Sequence, residues 1–183
     1  LTMWLAILAA VALLMRPLLH QQSKFASLSC HILMALPFFA LASRFLTNDT
    51  SFAHVVSYGG EDLPLRYRFA ATWAAREGPL LLWVMWMTLL AFVWRNPMAG
   101  ENTRLTHPLR LRLIYGFNLL ILLLAWNLDP FKASTGSGMG QGLNELLQTD
   151  LMVIHPPLIF LAYSFCLHIS CVALSSMFTD TTG

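Results

Sequence analysis

The sequence predicts an all-α integral membrane protein with about five transmembrane helices and two structured outer loops. Of its 183 residues, 57% are hydrophobic and only 11% are charged, and the mean hydropathy is +0.62. Soluble domains contain about 25% charged residues, so this chain has too few polar groups to enclose its apolar side chains in water. The formal net charge of +2 is too small to indicate a nucleic-acid partner. Membrane lipid is the expected surrounding.

Membrane spans are predicted from the length of the apolar stretches, because a helix needs about 20 residues to cross the hydrocarbon core. Five stretches approach this length, at about 1–19, 25–46, 79–94, 109–128 and 156–178. The first is interpreted as a span and not as a signal peptide, because it has no basic leader and no small-residue cleavage site follows it. The five spans predict a single membrane domain that covers 1–183.

The distribution of charge predicts the orientation of these spans. Links rich in Lys and Arg face the cytoplasm, or the matrix of a mitochondrion. The basic residues at the two short links are Arg16, Lys24, Arg95, Arg104, Arg110 and Arg112. The long links, 47–78 and 129–154, then face outward with the N-terminus. Most acids lie in these long links, namely Asp49, Glu61, Asp62, Glu77, Asp129, Glu145 and Asp150.

The outer end of the fifth span carries His155, which is followed by Pro156 and Pro157. A residue before proline is disfavoured in the α region, whereas proline is well tolerated in the first turn of a helix. We therefore predict that the fifth helix begins at Pro156, with both prolines in a structural role and His155 presented just before it. A stiff backbone of this kind suits a ligand of a metal or of haem iron. The alternative is a capping histidine that binds a nearby carbonyl group.

Both long links contain segments that predict structure at the outer surface. Residues 65–73 alternate basic and aromatic side chains, as interfacial segments do, and residues 142–148 form a short amphipathic segment. Arg76 and Glu77 are adjacent and cannot face each other on a helix, so each is expected to have another partner. Gly78 fits a helix start. The candidate contacts for haem or a protein partner at this surface are Trp73, Arg76, Glu77, Asn144, Gln148 and Asp150.

Two histidines, His31 and His168, lie inside spans at similar depths. They are candidates for a bis-histidine haem between two helices, although such residues more often hydrogen-bond within a bundle. His155 and His168 cannot share one iron, because the 13 residues of helix between them span about 20 Å. No CxxC or CxxCH motif occurs, so the chain has no covalent haem-attachment site of its own. The histidines expected to be solvated in links are His20, His54 and His107.

Several linked motifs resemble the CcmF family of haem-handling membrane proteins in cytochrome c maturation, including its paralogue NrfE. The motifs lie at 63–68 leading into 70–73, at 77–83, 129–131, 143–150 and 155–158, with Tyr163 following. Their order and spacing agree with the family over nearly the whole chain. Two departures are Arg76, where the family usually has histidine, and Pro79, where it usually has serine. The family's Trp-rich motif does not occur in these 183 residues, so the resemblance implies the N-terminal portion of a larger architecture.

The resemblance implies that His155 is an axial ligand of a transiently bound b-type haem in a cytochrome c haem lyase. The lyase joins the haem vinyl groups to the cysteines of apocytochrome c, and this chain is not expected to be active alone. The implied partners are the remaining portion of the lyase, a haem chaperone, apocytochrome c and a thiol-reducing maturation subunit. The implied location is the bacterial inner membrane with periplasmic long loops, and the mitochondrial inner membrane is the alternative.

Two other functions are compatible with the same pattern. The first is a non-catalytic membrane scaffold that docks apocytochrome or a haem chaperone through the outer loops. The second is a small membrane transporter subunit, which would be expected to place polar residues along a pathway through several helices. The sequence shows few residues of that kind.

Overall fold

The computed structural model describes residues 1–15, 24–135 and 140–180. No strand occurs among them, so the predicted all-α class is confirmed. A short 3-10 turn at Glu145–Leu147 precedes the last helix. In chain order the helices are α1 (Thr2–Met15), α2 (Lys24–Leu46), α3 (Ala53–Tyr58), α4 (Leu65–Ala71), α5 (Glu77–Val93), α6 (Thr106–Asn127) and α7 (Asp150–Asp180).

The membrane class follows from the length and apolar composition of these helices. Three of the described helices are long and apolar enough to cross a bilayer, at Phe25–Leu46, Thr106–Asn127 and Asp150–Phe178. Helices α1 and α5 are also apolar but shorter, with 14 and 17 residues. Residues 16–19 of the first predicted span lie outside the described part of the chain. Five crossings and their orientation therefore stay predictions.

Helices α5 and α6 form the centre of the bundle. Helix α5 packs against α2, α6 and α7, while α6 packs against α1, α5 and α7. Helix α1 packs against α2 and α6, and its small residues Ala6 and Ala10 are fully buried. Small side chains let helix backbones approach closely in a membrane, where van der Waals contact replaces the hydrophobic effect between helices. Helices α2 and α7 each pack against α5 but not against each other.

The short link between α5 and α6 is closed by a buried ion pair. The Arg110 guanidinium is 1% exposed and binds both carboxylate oxygens of Glu101, at 2.7 and 3.1 Å. It also donates to the carbonyl oxygens of Trp94 and Asn96, at 3.0 and 3.2 Å. Arg110 therefore holds the end of α5 against the start of α6. Its charge is neutralised by Glu101.

The two long links pair with each other through their backbones. The amide of Ala53 donates to the carbonyl of Lys132 at 2.9 Å, and the amide of Ser134 donates to Ser51 at 2.7 Å. Farther along, the amide of Gly142 donates to Gly59 at 2.9 Å. These bonds join residues about 80 positions apart in sequence, so the two long links form one structured cap, as predicted. It is called the outer cap below, after the predicted orientation.

Candidate functional site

Helix α7 begins at Asp150 and not at Pro156, so the predicted helix start is wrong. The Thr149 hydroxyl accepts a hydrogen bond from the amide of Met152 at 3.3 Å, which satisfies one of the free amides of the first turn. Asp150 adds a negative charge at the same end, where the helix dipole favours it. His155 consequently lies in the second turn of α7, with Pro156 and Pro157 inside the helix.

Trp73 explains how the helix continues through Pro156. Proline has no amide hydrogen, so Pro156 cannot donate to the carbonyl oxygen of Met152 four residues earlier. The indole Nε1 of Trp73 donates to that same oxygen at 2.8 Å. The helix therefore keeps a hydrogen bond at Met152, and its partner comes from the turn between α4 and α5.

Trp73 is 4% exposed and Tyr67 is also buried. Residues 65–71 form α4, and these two rings belong to the protein core. They therefore pack inside the protein and are not open to lipid headgroups, in contrast to the interfacial exposure that the alternation of basic and aromatic residues predicted. Trp73 is therefore placed to support α7 from within and not to contact a haem at the outer surface.

His155 is exposed on the outer portion of α7. Its ring makes no hydrogen bond or ion pair with any residue that the structure describes, and its nitrogens are not enclosed. The structure therefore shows no capping role for this imidazole. The nearby Leu151, Ile154 and Leu158 are also exposed. An open nitrogen donor thus stands on an apolar surface of a long helix.

The amphipathic segment before α7 folds as a 3-10 turn with Asn144 as its cap. The Asn144 carboxamide oxygen accepts from the amide of Leu146 at 3.0 Å. The Gln148 side chain donates to the carbonyl of Leu143 at 2.9 Å. Leu143 is buried, whereas Leu146 is 84% exposed. Both amide side chains named as candidate contacts are therefore used to shape this turn.

Asp150 is the third candidate at this end of α7. Its carboxylate lies 3.7 Å from the Nε of Arg66, and both side chains are mostly exposed. An exposed pair at this distance is weak. Asp150 therefore remains accessible to a partner, while its main structural role is at the start of α7.

Glu77 is buried at the start of α5, and its partner is His54. Glu77 Oε2 lies 3.3 Å from His54 Nε2. Both side chains are largely enclosed, so the expectation that His54 is solvated is wrong. Burial lowers the pKa of His54 below its ordinary value, with the Glu77 carboxylate acting in the opposite direction. His54 is therefore neutral at neutral pH and faces a carboxylate.

Gly78 is required by the turn that leads into α5. A Cβ at Gly78 would collide with the carbonyl oxygen of Thr72. This close approach sets the direction in which Glu77 and Arg76 leave the helix start. Arg76 is exposed and has no hydrogen bond or ion pair with the residues described.

The structure does not bring His31 and His168 together. The His31 ring is engaged at both nitrogens, with Nδ1 2.6 Å from the carbonyl of Ser27 and Nε2 3.0 Å from the Tyr115 hydroxyl. His168 Nδ1 lies 2.8 Å from the carbonyl of Ser164, and its ring packs on Trp94. Because these histidines lie on α2 and α7, which do not pack against each other, no haem position between them follows from the fold.

The remaining histidines fall into two groups. His107 is half-buried, and its Nε2 lies 3.0 Å from the carbonyl of Arg95. It therefore supports the α5–α6 link and is not freely solvated. His20 lies outside the described residues.

In a comparison with known proteins, the chain is similar to cytochrome c-type biogenesis proteins. It is 34% identical over 135 residues to the cytochrome c-type biogenesis protein CcmF of Escherichia coli. It is 32% identical over 152 residues to the probable cytochrome c-type biogenesis protein NrfE of the same bacterium. Over these residues the chain belongs to the CcmF and NrfE family. A third relative is the cytochrome c-type biogenesis protein CycK of Rhizobium meliloti, 30% identical over 158 residues.

These alignments cover most of the chain but little of the relatives. They include 69%, 79% and 81% of this chain and 20%, 26% and 23% of the respective relative. The chain thus spans about a quarter or less of the length of the relatives it matches. No family model matches the chain, and no solved structure matches it.

The contacts that sequence reasoning missed in this family member are long-range. His54 and Glu77 are 23 residues apart and meet through the folded outer cap. Trp73 and Met152 are 79 residues apart. Neither pair is marked by a periodic pattern in the amino-acid sequence. One clue was available in the sequence, because the Glu77 carboxylate at the start of a membrane span needs a partner. This requirement indicates the chemical type of the partner residue but not its position in the chain.

Proposed function

We propose that the chain acts in cytochrome c-type biogenesis as part of a haem lyase that presents haem at the outer membrane surface through His155. The observation that carries this proposal is the exposed His155 imidazole, which has no partner in the described part of the chain. Family membership supports it, because the relatives carry the name of cytochrome c-type biogenesis proteins.

The residues around His155 fit a haem. Histidine is a common axial ligand of haem iron, and both ring nitrogens of His155 are free to serve. The exposed Leu151, Ile154 and Leu158 offer an apolar surface to a porphyrin face. The bond from Trp73 to Met152 supports the turn that carries His155, so a ligand there would be held by a rigid helix.

The chain's own contribution is positional. Haem supplies the iron that His155 would hold and the vinyl groups to which the thiols of an apocytochrome CxxCH motif add. Helix α7 restricts the orientation of His155, and fixed orientation of two reactants lowers the entropic part of a reaction barrier. The partners proposed for this step are apocytochrome c, a haem chaperone, a thiol-reducing subunit and the rest of the family architecture with its Trp-rich motif. The proposed location is the bacterial inner membrane, with the outer cap in the periplasm.

The proposal is tested in bacteria that lack their own relatives of this chain. The chain is produced together with the remaining portion of a family protein, and covalent haem in a reporter cytochrome c is measured by haem staining of a denaturing gel. His155→Ala is expected to lower the stain at least tenfold. Arg104→Ala, at an exposed side chain away from the outer cap, is expected to leave it near wild type. Full staining with His155→Ala would contradict the proposal.

A docking function is the second candidate, and one feature favours it. A cavity of about 550 Å³ on the outer cap is lined by three exposed acids, Glu61, Asp62 and Glu145, together with the amides of Asn144 and Gln148. An acidic surface suits a cationic protein partner. A scaffold alone predicts that Glu61→Lys with Asp62→Lys abolishes co-purification of apocytochrome, while His155→Ala leaves both co-purification and haem attachment intact.

A further inference from the structure

A second cavity of the outer cap is lined by two positive and two negative side chains that the proposed function does not use. This cavity has a volume of about 570 Å³ and lies between α3, the start of α5 and the loop after α6. Its volume is within the range of about 300–1,000 Å³ that is usual for small-molecule sites. The charged residues of the lining are Arg76, Glu77, Asp129 and Lys132. His155 is not among the lining residues, so an occupant would be separate from the proposed haem position.

The charged side chains of this cavity do not pair with one another. Arg76, Asp129 and Lys132 are exposed, and none of their side chains makes a hydrogen bond or ion pair within the described ranges. Two positive and two negative groups give the lining no excess of either sign. An anionic occupant would satisfy the cations and leave the carboxylates without a partner. A zwitterion, which carries one group of each sign, matches the whole lining.

The Glu77 carboxylate is the group in this cavity that most needs a donor. Glu77 is 8% exposed, and its Oε2 is enclosed without a hydrogen-bond partner. His54 Nε2 lies 3.3 Å from this oxygen but forms no hydrogen bond with it. The other oxygen, Oε1, is not enclosed and accepts no hydrogen bond from a described residue. An enclosed carboxylate without donors is costly, so an N–H group that enters the cavity would stabilise it.

The cavity lies close to the predicted membrane interface. Trp4 and Trp126 are 52% and 44% exposed, and their ring centroids are 4.9 Å apart. Tryptophan is enriched where a membrane protein passes from lipid to water. Trp126 lies in the last turn of α6, three residues before Asp129. This position puts the cavity within reach of a phospholipid headgroup.

We propose that this cavity binds the headgroup of phosphatidylethanolamine from the surrounding membrane. Arg76 and Lys132 bind the phosphate, because guanidinium and ammonium groups form charge-assisted hydrogen bonds with phosphate oxygens. Glu77 and Asp129 accept hydrogen bonds from the primary ammonium of the headgroup, which has N–H groups to donate as the lysine ammonium does. The inference does not rest on the proposed haem role of His155, so its failure would leave the proposed function unaffected.

Two other phospholipids match this lining less well. Phosphatidylcholine has the same charges, but its trimethylated nitrogen has no N–H group for the Glu77 carboxylate. Phosphatidylglycerol has a phosphate but no cation, so both carboxylates would stay unpaired beside an added negative charge. The proposed order of affinity is therefore phosphatidylethanolamine first, and the other two lipids well below it.

The test is a competition between these three lipids for the full chain in detergent micelles, measured by native mass spectrometry. The lipids have the same acyl chains and are present in equal amounts. Adducts with phosphatidylethanolamine are expected to exceed those with either other lipid about tenfold, since the difference is one set of charge-assisted hydrogen bonds. Equal adducts with all three lipids, or a preference for phosphatidylglycerol, would overturn the proposal.

Variants assign the two parts of the headgroup to their partners. Arg76→Gln combined with Lys132→Gln is expected to lower phosphatidylethanolamine adducts about tenfold, because the phosphate loses both cations. Asp129→Asn is expected to lower the ratio of phosphatidylethanolamine to phosphatidylglycerol adducts severalfold. Asparagine suits this position, since the φ of Asp129 is 51° and both residue types tolerate the left-handed region.

The matched control for these variants is Arg66→Gln. Arg66 is an exposed arginine of α4 that does not line the cavity, and its variant is expected to keep the lipid preference of the parent. All four substituted residues are exposed, so their circular dichroism spectra should match that of the parent. Unchanged lipid selectivity in both the double variant and Asp129→Asn would contradict the assignment of this cavity.

A second competition separates a membrane lipid from a soluble compound with the same phosphoethanolamine group. Glycerophosphoethanolamine, which has the headgroup without acyl chains, is added in large excess to the complex with phosphatidylethanolamine. The lipid adduct is expected to persist, because the acyl chains remain in the micelle and hold the headgroup at the cavity. Displacement of the lipid by the soluble compound would assign the cavity to a soluble zwitterion and overturn the lipid proposal.

Discussion

The charged groups at the two ends of the bundle differ in their burial and in their partners. In the α5–α6 link, Arg110 is fully buried, and Glu101 with two backbone carbonyls satisfies its guanidinium. At the outer end, His155, Arg76 and Lys132 are exposed and have no side-chain partner among the residues described. A buried charge must be paired to be tolerated, whereas an open charge or ring nitrogen on a rigid element remains available to a ligand.

The buried and paired groups therefore have a structural role, whereas the exposed groups without a partner are candidates for binding. The cluster around Arg110 ties α5 to α6, and all three nitrogens of its guanidinium are engaged. The outer cap contains buried bonds too, such as Trp73 to Met152, but these hold elements whose other side chains stay open. The comparison predicts that variants of the α5–α6 link change stability, while variants of the open outer groups change binding.

The largest expected effect is at Arg110. Arg110→Ala leaves Glu101 buried without its partner, and breaking a buried pair costs about 3–5 kcal/mol of stability. The measurement is thermal unfolding of the protein in detergent, followed by circular dichroism. Arg66→Ala is the control, because the Arg66–Asp150 pair is exposed and is expected to contribute less than about 1 kcal/mol. Equal unfolding midpoints for Arg110→Ala and Arg66→Ala would contradict the predicted difference in stability between the two ends of the bundle.

A smaller loss is expected when Trp73 is replaced by Phe. The phenyl ring keeps most of the packing but removes the indole N–H that Met152 accepts, and an unsatisfied carbonyl of this kind costs about 1–3 kcal/mol. Hydrogen exchange at 150–155 reports the effect at the start of α7, where faster exchange is expected. Trp4→Phe is the matched control, since Trp4 is exposed on α1. Unchanged exchange in Trp73→Phe would show that Pro156 needs no replacement donor.

The smallest effect is the pH dependence that His54 contributes. Because burial lowers the pKa of His54 in the folded protein, with Glu77 opposing, the unfolded chain takes up the proton first as the pH falls. Stability is therefore complete above the unfolded pKa of about 6.5 and decreases as the pH falls below it. The unfolding midpoints at pH 7.5 and 5.5 should differ more for the wild type than for His54→Phe. An identical pH dependence in both would show that His54 is not the group responsible.

Glu101 affects stability at lower pH than His54 does. The contributions of these two groups to the pH dependence of stability can therefore be measured separately. Burial is the largest single influence and opposes ionisation, but the hydrogen bonds from Arg110 and the Met98 amide, together with the positive charge of Arg110, hold the pKa of Glu101 below its ordinary value. Its stabilising contribution is therefore present above the ordinary carboxyl pKa of about 4.3 and is lost only at lower pH. Measurements between pH 7.5 and 5.5 do not titrate this group.

The fold class was predictable from the sequence because membrane helices are encoded locally, by the length of apolar stretches. The start of α7 was not, because the preference of proline for a first turn is local, whereas the donor that replaces its missing N–H is Trp73, 79 residues away. His54 was placed in solvent because it lies in a polar link. Its burial depends on the backbone pairing of the two outer links, which no local pattern records.

The candidate site was predictable in part for the same reason. The exposed position of His155 near the outer end of a long helix follows from the sequence, although it lies within the helix and not before it. The engagement of His31 by Ser27 and Tyr115, and its separation from His168 by α5, required the arrangement of helices. Roles that depend on neighbouring residues in the sequence could be predicted. Roles that depend on packing between distant parts of the chain could not.

The most direct test of the central claim is a change of ligand at His155. The protein is produced with haem, and the absorption and electron paramagnetic resonance spectra of wild type, His155→Cys and His155→Ala are compared. The account predicts a thiolate-type spectrum for the cysteine variant and loss of bound haem in His155→Ala. Identical haem spectra in all three proteins would contradict the assignment of His155 as the ligand.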